Sequence, residues 1–259
     1  MKKKEQRINE IMALIREQPT ITVKMLAEIL NVSEMTVRRD LAYLKSSNAL
    51  TQSLGMTFIN SEPNNTLAPP AYDFGYELHR NTDNKQRIAQ KASSLIHSRD
   101  ILILDSSTTV SMMVPYIPGN MDLTVICYNY HILSRLPKNE ALNLIVTGGI
   151  YNPQLQMFES SEGINIIKAH RANKYFFSTS GIHEHLGMTC SYSFEVLTKR
   201  ASIESSATKI LLADSSKFGI ITTSYFAKLN ECDILITDTN ISKDWIKIIE
   251  DMGIQLYIV

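Results

Sequence analysis

The sequence predicts an α/β protein in two parts: an N-terminal winged helix-turn-helix with three helices and a β-hairpin, and a C-terminal α/β domain with a mostly parallel sheet. Two observations lead to this prediction. Within residues 1–60, apolar residues recur at helical spacing in three segments, and two short strand-like segments follow. Within residues 73–259, short and almost wholly apolar runs alternate with helical segments.

Three helices are predicted at the start of the chain. Asn31 stands at the corner after the second helix, where a residue that tolerates a left-handed backbone can end a helix. Ser33 can then cap the third helix, and the helix-turn-helix is expected at about residues 20–42. The apolar faces of the three helices carry Ile8, Ile11, Met12 and Ile15, then Val23, Leu26, Ala27 and Leu30, then Val37, Leu41 and Leu44.

The third helix is predicted to read DNA. A recognition helix places its first two turns against base edges in the major groove, and cations further along meet phosphate. We therefore expect Met35, Thr36 and Arg38 to contact bases. Arg39 is expected to bond phosphate or to pair with Asp40. The alternatives are a plain three-helix module with solvated arginines and a helix pair that binds protein. The full set of candidate DNA contacts is Ser33, Met35, Thr36, Arg38, Arg39 and Lys45.

Residues 49–59 contain two short segments of strand-forming residues around Gly55. They predict a β-hairpin wing beside the recognition helix. A wing can touch phosphate or the minor groove, or it can simply close the core of the small domain. The sequence leaves both roles open.

Charge is distributed unevenly along the chain, although the formal net charge is zero. Residues 1–60 carry nine basic and six acidic side chains, and the remainder carries 17 basic and 20 acidic ones. A basic head on a mildly acidic body is typical of a protein that touches a polyanion with one end only.

The three cysteines, Cys127, Cys190 and Cys232, are far apart and lack metal-ligand spacing. A sparse and odd number of cysteines favours a reducing compartment. No apolar run is long enough to span a bilayer, and the N-terminus lacks the apolar core of a signal peptide. We therefore expect a cytoplasmic protein that does not enter a membrane.

Residues 61–72 are rich in Pro, Asn and small residues and are predicted to be a linker. They separate a DNA-binding domain at 1–60 from an α/β domain at 73–259 that senses an effector. Helices are expected there at 85–97, 195–205 and 244–252. Strands buried on both faces are expected at Ile101–Leu104, Leu123–Ile126, Leu142–Val146, Tyr175–Phe177, Ile210–Ala213, Ile234–Ile236 and Gln255–Ile258.

Polar residues follow several of these strands, at the edge where open α/β sheets bind ligands. Asp105 to Thr109 lead into a helical segment, whose hydroxyls and backbone N–H groups suit a phosphate, while Asp105 can accept sugar hydroxyls. An ordinary capped helix explains the same residues equally well. The run ending at Ala213 is followed by Asp214-Ser215-Ser216-Lys217, a set that suits a polyhydroxy anion unless Lys217 is simply a surface charge.

Further candidates come from other strand ends and from one helix. The pair Gly148-Gly149 either admits close approach of a ligand or forms a turn. Glu195 and Lys199, four residues apart, either form an ion pair or border the pocket. Asn129 follows another strand. The six histidines show no convincing metal spacing, so we expect no metal, no cofactor and no catalytic residue.

The whole pattern resembles the DeoR family of bacterial transcriptional regulators. The head matches in Ala27, Leu30, Val32-Ser33, Thr36-Val37-Arg38-Arg39-Asp40-Leu41 and Leu44. The body matches in Lys85, Ile88-Ala89, Leu104-Asp105, Thr108-Thr109, Asn129, Gly148-Gly149, Gly181, Glu195, Lys199-Arg200 and Asp214-Ser215-Ser216-Lys217-Phe218-Gly219.

This resemblance implies a sensor domain similar in fold to ribose-5-phosphate isomerase and the coenzyme A transferases. Family members typically repress operons for sugar or nucleoside use, and a phosphorylated sugar relieves the repression. Carried over, Asp105, Thr108, Thr109 and Lys217 look like the phosphosugar contacts. The candidate effector site as a whole comprises Asp105, Ser107, Thr108, Thr109, Asn129, Gly148, Gly149, Glu195, Lys199 and Lys217.

Two positions depart from the family pattern. Ser107 stands where the family usually has Gly, and Ser enters left-handed conformations less easily than Gly, so a changed phosphate loop is expected. Ser53-Leu54-Gly55-Met56 stands where the family wing has His-Gly-Gly-Ala, so the wing contacts are expected to differ.

We therefore expect a DNA-binding regulator, a repressor of a sugar operon that a phosphorylated sugar releases. It should bind double-stranded operator DNA as a homodimer or homotetramer, because one recognition helix reads only a few base pairs. One alternative is a phosphosugar isomerase fused to a DNA-binding head, with Asp105, Glu195 or Asp214 as general base. Another is a regulator that has lost its ligand and responds to a protein partner.

Overall fold

The computed structural model describes residues 7, 8, 10, 11, 14, 23–46, 50–53, 56–59, 72–138 and 140–259, with the backbone alone at 42–46, 50–53, 56–59 and 76. The chain divides into two compact units, residues 1–69 and 70–259. The predicted linker at 61–72 lies outside the described residues except for Tyr72. Met12 and Ile15 of the first predicted helix also lie outside them.

The first unit contains the predicted helix-turn-helix and hairpin. Helix α1 is Val23–Ile29 and helix α2 is Glu34–Ser46. Strands β1 (Leu50–Ser53) and β2 (Met56–Ile59) pair antiparallel, which confirms the hairpin, while Leu54 and Gly55 at its turn lie outside the described residues. The buried core of this unit comprises Ile11, Leu26, Ala27, Val37 and Leu41.

The strands of the second unit form one large sheet and two small ones. In chain order they are β3 (Ile101–Leu104), β4 (Leu123–Cys127), β5 (Leu142–Val146), β6 (Ile150–Asn152), β7 (Met157–Glu159), β8 (Ala172–Phe177), β9 (Gly181–His183), β10 (Gly187–Cys190), β11 (Ser206–Leu212), β12 (Ser224–Ala227), β13 (Ile234–Thr237) and β14 (Gln255–Ile258).

The large sheet has the order β14-β13-β11-β8-β3-β4-β5, and its neighbouring strands are all parallel. The seven apolar runs that the sequence predicted as strands are the seven strands of this sheet. The predicted α/β class with a mostly parallel sheet is therefore confirmed. Two small antiparallel sheets, β12-β10-β9 and β6-β7, are additions that the sequence pattern did not predict.

Helices and short 3-10 turns connect these strands. The helices are α3 (Phe74–Leu78), α4 (Thr82–Ser93), α5 (Thr108–Ser111), α6 (Tyr130–Leu133), α7 (Ser161–Ala169), α8 (Phe194–Glu204) and α9 (Lys243–Asp251). The 3-10 helices are Val114–Tyr116, Ser215–Lys217 and Leu229–Glu231.

The central strands are buried on both faces because alternate side chains point to opposite sides of the sheet. On β3, Leu102 and Leu104 belong to one apolar core and Ile103 to another. The prediction that all seven strands are buried on both faces is wrong for the two edge strands, β5 and β14. On β5, Leu144 and Val146 are 39% and 44% exposed, and on β14 Ile258 is 42% exposed, since each edge strand has a strand neighbour on one side only.

Candidate functional site

The turn between α1 and α2 has a defined geometry. Asn31 adopts φ of 49°, the left-handed conformation expected at this corner. The N–H of Val32 donates to the Ala27 carbonyl at 3.0 Å, and the N–H of Asn31 donates to the Glu28 carbonyl at 3.3 Å. These are the two bonds of a Schellman C-cap, which ends α1 and fixes the direction in which the chain enters α2.

Ser33 and Thr36 form the N-cap of α2. The Ser33 Oγ accepts the Thr36 N–H at 3.2 Å, and the two hydroxyl oxygens lie 2.9 Å apart. Two of the six predicted DNA contacts therefore already satisfy the start of the helix. Ser33 remains exposed and Thr36 is half-buried.

The outer face of α2 carries the larger candidate contacts. Met35 is 67% exposed, and Arg39 is also exposed. The Arg38 side chain is 62% exposed, with its Nη2 3.6 Å from a carboxylate oxygen of Glu34. An exposed pair of this kind is worth about 0–1 kcal/mol, which leaves the guanidinium free to engage phosphate or bases. Lys45 lies on α2, but its side chain is outside the described part of the chain.

Asp40 does not pair with Arg39, which was one expectation for that arginine. Its side chain is only 2% exposed, and its Oδ2 accepts a hydrogen bond from Arg7 Nε at 2.6 Å. The side-chain hydrogen bond to Asp40 raises the pKa of Arg7. Arg39 thus keeps its charge for an external partner, and the inner side of α2 is tied to a residue 33 positions earlier.

The second unit holds a polar cleft at the carboxyl ends of β3, β8 and β11, which are neighbours in the sheet. Six of the ten predicted effector residues line it: Ser107, Thr108, Thr109, Glu195, Lys199 and Lys217. The full lining is Tyr72, Glu77, Lys85, Ser106, Ser107, Thr108, Thr109, Leu155, Ser178, Thr179, Ser180, Cys190, Glu195, Lys199 and Lys217.

Asp105 lies beneath the cleft and is fully buried. Its Oδ1 accepts hydrogen bonds from the hydroxyls of Tyr128 at 2.8 Å and Tyr175 at 3.3 Å. Its Oδ2 accepts the Ser178 N–H at 3.2 Å and Lys199 Nζ at 2.5 Å. These four donors fill the acceptor sites of the carboxylate. Asp105 therefore holds Lys199 in place, and the geometry gives no support to direct contact with sugar hydroxyls.

Of the two alternatives for Glu195 and Lys199, the structure shows that both border the cleft, and Lys199 forms its ion pair with Asp105. Burial alone would lower the pKa of Lys199, but the nearby charges of Asp105 and Glu195 leave it raised. Burial raises the pKa of Glu195 to about 7, against the opposing effect of Lys199. Near neutral pH, Glu195 is therefore present both as the protonated acid, which can donate a hydrogen bond, and as the carboxylate, which can only accept one.

The loop after β3 has an ordinary backbone at the position where the family usually has glycine. Ser107 has φ of −131°, an extended conformation open to any residue, so the expected disturbance of this loop is absent. Its Oγ accepts the Val110 N–H at 3.0 Å and caps α5. Thr108 and Thr109 follow as buried lining residues of the cleft.

Lys217 faces a carboxylate that comes from α3. Its Nζ lies 3.4 Å from Glu77 Oε2, and Lys85 Nζ lies 3.9 Å from the same oxygen. Arg80 approaches the other oxygen of Glu77 at 3.4 Å. Burial and the charge of Lys217 together lower the pKa of Lys85 to about 8, against the opposing effect of Glu77. We call Glu77, Arg80, Lys85 and Lys217 the cation cluster.

Besides Asp105, three other predicted effector residues do not line the cleft. Asn129 is fully buried, where its Oδ1 accepts the Ile132 N–H at 3.0 Å and its Nδ2 donates to the Leu155 carbonyl at 2.9 Å. Gly148 and Gly149 have φ of 64° and 121° between β5 and β6. A Cβ on Gly149 would lie 2.2 Å from a backbone oxygen, so these glycines form a tight turn.

Sequence reasoning missed several lining residues. Ser178, Thr179 and Ser180 directly follow the predicted strand ending at Phe177, so the rule that located Asp105 to Thr109 would have found them. Tyr72 and Glu77 precede the first strand of the sheet, and no strand-end signal marks them. Among the described residues, no group of three His, Cys, Asp or Glu side chains could hold a metal ion.

Two family models match this chain. The DeoR C terminal sensor domain matches residues 80–239, and the DeoR-like helix-turn-helix domain matches residues 7–62. The matched regions contain α2 and all the cleft residues except Tyr72 and Glu77.

Curated relatives align over almost the whole chain. The HTH-type transcriptional regulator YulB of Bacillus subtilis is 31% identical over 97% of this chain and 95% of its own. The HTH-type transcriptional repressor GlcR of the same species is 28% identical over 98% and 96%. The lactose phosphotransferase system repressor of Staphylococcus epidermidis is 32% identical over 92% and 93%.

Among solved structures, the chain is similar to ribose 5 phosphate isomerase A from Neisseria gonorrhoeae, with 13% identity and a TM-score of 0.36 over 53% of each chain. In the part of the chain that the structure describes, no helix has the length and apolar character needed to cross a bilayer. The relatives are named as regulators and repressors, which favours a regulator over the isomerase alternative. The chain thus belongs to the DeoR family and is a DNA-binding transcriptional regulator.

Proposed function

We propose that this protein represses an operon for sugar use and leaves its operator when a phosphorylated sugar binds the polar cleft. The observation that carries the proposal is the composition of the cleft: three lysines, Lys85, Lys199 and Lys217, together with hydroxyl-bearing residues after β3 and β8. Ammonium groups suit a phosphate, and hydroxyl and carboxyl groups suit a polyol. A lactose phosphotransferase system repressor among the relatives supports the link to sugar use.

The lining residues of the cleft fall into two chemical groups. We assign Thr108, Thr109 and Lys217, which carry hydroxyls and a positive charge, to the phosphate. We assign Glu195 and the hydroxyl-bearing segment 178–180 to the sugar hydroxyls. Lys199 donates to Asp105 and to the Ser178 carbonyl, so it lies beside the second group.

Operator binding is proposed to need at least two copies of the chain. One recognition helix contacts only a few base pairs, and a dimer gains selectivity by reading two half-sites. The effector then acts by binding the DNA-competent and DNA-incompetent arrangements with different affinity. A protein that acts on operator DNA works where the chromosome is, so we place it in the bacterial cytoplasm.

Arg38→Ala is expected to weaken operator binding by about 1 to 3 kcal/mol, because the exposed guanidinium suits a bidentate contact to a guanine edge. Fluorescence anisotropy with operator and with random DNA of equal length measures the loss. Arg87→Ala, which removes an exposed arginine from α4 of the sensor unit, is the matched control. An equal loss on both DNAs would reassign Arg38 to phosphate contact.

Lys217→Met is expected to weaken phosphosugar binding by roughly 10- to 100-fold, because a charged hydrogen bond is worth about 1.5–3 kcal/mol. Operator affinity without effector is measured alongside, because Lys217 also contacts Glu77 of α3. The measurement is a gel shift on operator DNA across a concentration series of the effector. Lys247→Met, at an exposed position on α9, is the control, and an unchanged release curve for the Lys217 variant would remove this lysine from the site.

The function as a whole is tested by a thermal-shift screen of sugar phosphates, followed by gel shifts on the DNA upstream of the protein's own gene. We expect one sugar phosphate to raise the melting temperature and to release the DNA, while its unphosphorylated sugar does neither. Operator binding that no sugar phosphate alters would contradict the effector class. If the protein isomerises the sugar phosphate that raises its melting temperature, the result would instead support the enzyme alternative.

A further inference from the structure

The cation cluster contains more positive charges than its own carboxylate can neutralise. Glu77 is the carboxylate that Lys217, Lys85 and Arg80 share, at 3.4, 3.9 and 3.4 Å. The charge of Asp214 also raises the pKa of Lys85, but one oxygen of Asp214 already accepts hydrogen bonds from Ser216. With Asp214 included, three cations face two carboxylates, so the cluster keeps about one uncompensated positive charge.

The contacts to Glu77 are long for ion pairs. Charged hydrogen bonds between nitrogen and carboxylate oxygen usually measure about 2.7–2.9 Å. The neighbouring pair of Lys199 and Asp105, at 2.5 Å, shows that the same cleft also holds a lysine tightly. The Glu77 carboxylate is therefore held by three long contacts and by no short ion pair.

Lys85 is anchored in a way that does not need the Glu77 carboxylate. Its Nζ donates to the backbone carbonyl of Glu77 at 2.5 Å, and its side chain is almost fully buried. The Glu77 side chain can thus turn away while the ammonium of Lys85 stays in position. Lys217 and Lys85 would then both face the cleft beside Thr108 and Thr109.

The position of Glu77 in the chain determines which element a movement of its side chain would affect. Glu77 lies on α3, a helix of five residues that begins two residues after the segment 60–71, which connects it along the chain to the DNA-binding unit. The start of α3 is fixed to the sensor unit by Phe74, which is buried and whose N–H donates to the Gln154 carbonyl at 2.8 Å. The Glu77 side chain at the other end is held by the cation cluster, and the chain then continues into α4.

We propose that Glu77 is an internal substitute for the effector's phosphate. In the absence of effector its carboxylate occupies the cation cluster; the phosphate displaces it, and α3 loses one of its attachments. This inference rests on the proposed function, because it assigns the phosphate of the effector to Lys85, Arg80 and Lys217. Lys85, Arg80 and Glu77 are additions to the predicted effector site.

The test uses the full-length protein, inorganic phosphate as the probe and isothermal titration calorimetry. Glu77→Gln removes the competing charge but keeps the shape of the side chain, and it should lower the Kd for phosphate by about five- to tenfold. Glu184→Gln, the same change at an exposed position in the loop between β9 and β10, should leave the Kd unchanged. Glu77→Asp keeps the charge and provides a second variant if the glutamine variant does not fold; it should bind phosphate with a Kd between those of wild type and Glu77→Gln.

Hydrogen exchange measures the consequence for α3. The Glu77 N–H donates to the Asp73 carbonyl at 3.0 Å, and phosphate should speed its exchange in the wild type. In Glu77→Gln the exchange should already be fast without phosphate. Unchanged exchange on adding phosphate to the wild type would overturn the displacement of Glu77.

The outcomes separate this inference from the proposed function. If wild type and Glu77→Gln bind phosphate equally, or the variant binds it more weakly, Glu77 is not a competitor, and the cleft still stands as an anion site. If neither protein binds phosphate, the assignment of the cleft to a phosphorylated ligand fails, and the role of Glu77 fails with it.

Discussion

Lys199→Met should destabilise the folded protein by about 3–5 kcal/mol, the cost expected when one partner of a buried ion pair is removed. Lys199 and Asp105 are 4% and 0% exposed and lie 2.5 Å apart. Methionine fills most of the lysine volume, so the loss reflects an uncompensated buried carboxylate and not a cavity. Urea denaturation of both proteins at neutral pH measures the difference.

The double variant Lys199→Met/Asp105→Asn should recover much of this loss, because it removes both charges together. Lys247→Met, on the exposed face of α9, should change stability by less than about 0.5 kcal/mol. Equal losses in the single and the double variant would show that packing, and not charge, holds Lys199 in place.

The second large effect is a pH dependence that Glu195 confers on stability. Its pKa is about 7 in the fold, compared with an ordinary value of 4.5, mainly because the carboxyl is buried. The native state therefore binds the proton more tightly than the unfolded chain does. The stability that Glu195 contributes is complete below pH 4.5 and falls by about 3 kcal/mol as the pH rises through 7.

Glu195→Gln isolates this contribution, because glutamine stays neutral at every pH. Relative to the wild type, the variant should gain about 2.5 kcal/mol between pH 5 and pH 8 in urea denaturation series. Lys199 opposes the rise in the pKa of Glu195 and Asp105 enhances it. The expected pH dependence of stability therefore reflects all three groups together. Glu250→Gln, at an exposed position, should run parallel to the wild type; parallel curves for Glu195→Gln would refute the raised pKa.

The sequence predicted those features that depend on local pattern. Strand β3 could be predicted because Ile101–Leu104 is apolar on both faces. The cap at Ser33 could be predicted because a hydroxyl directly before a helix accepts a backbone N–H of its first turn. The three-stranded sheet β12-β10-β9 was not visible. Its strands have only three or four residues each and contain polar residues such as His183 and Thr189, so they lack an apolar run.

The site was predicted where it follows strand ends, and missed where it depends on tertiary structure. Thr108, Thr109 and Lys217 come directly after strands and reach the cleft. The roles of Asp105 and Glu77 depend on partners 94 and 140 residues away in the chain, respectively. No spacing rule links such positions, so neither contact could be predicted from the sequence.

The pairing of Arg7 with Asp40 limits how far the DNA-reading part can be reduced in size. A synthetic peptide covering only residues 20–46 would contain both helices, the turn and all six candidate contacts. It would lack the cation that compensates Asp40, whose side chain is buried in the intact protein. Studies of DNA recognition in isolation therefore need a fragment that begins before Arg7.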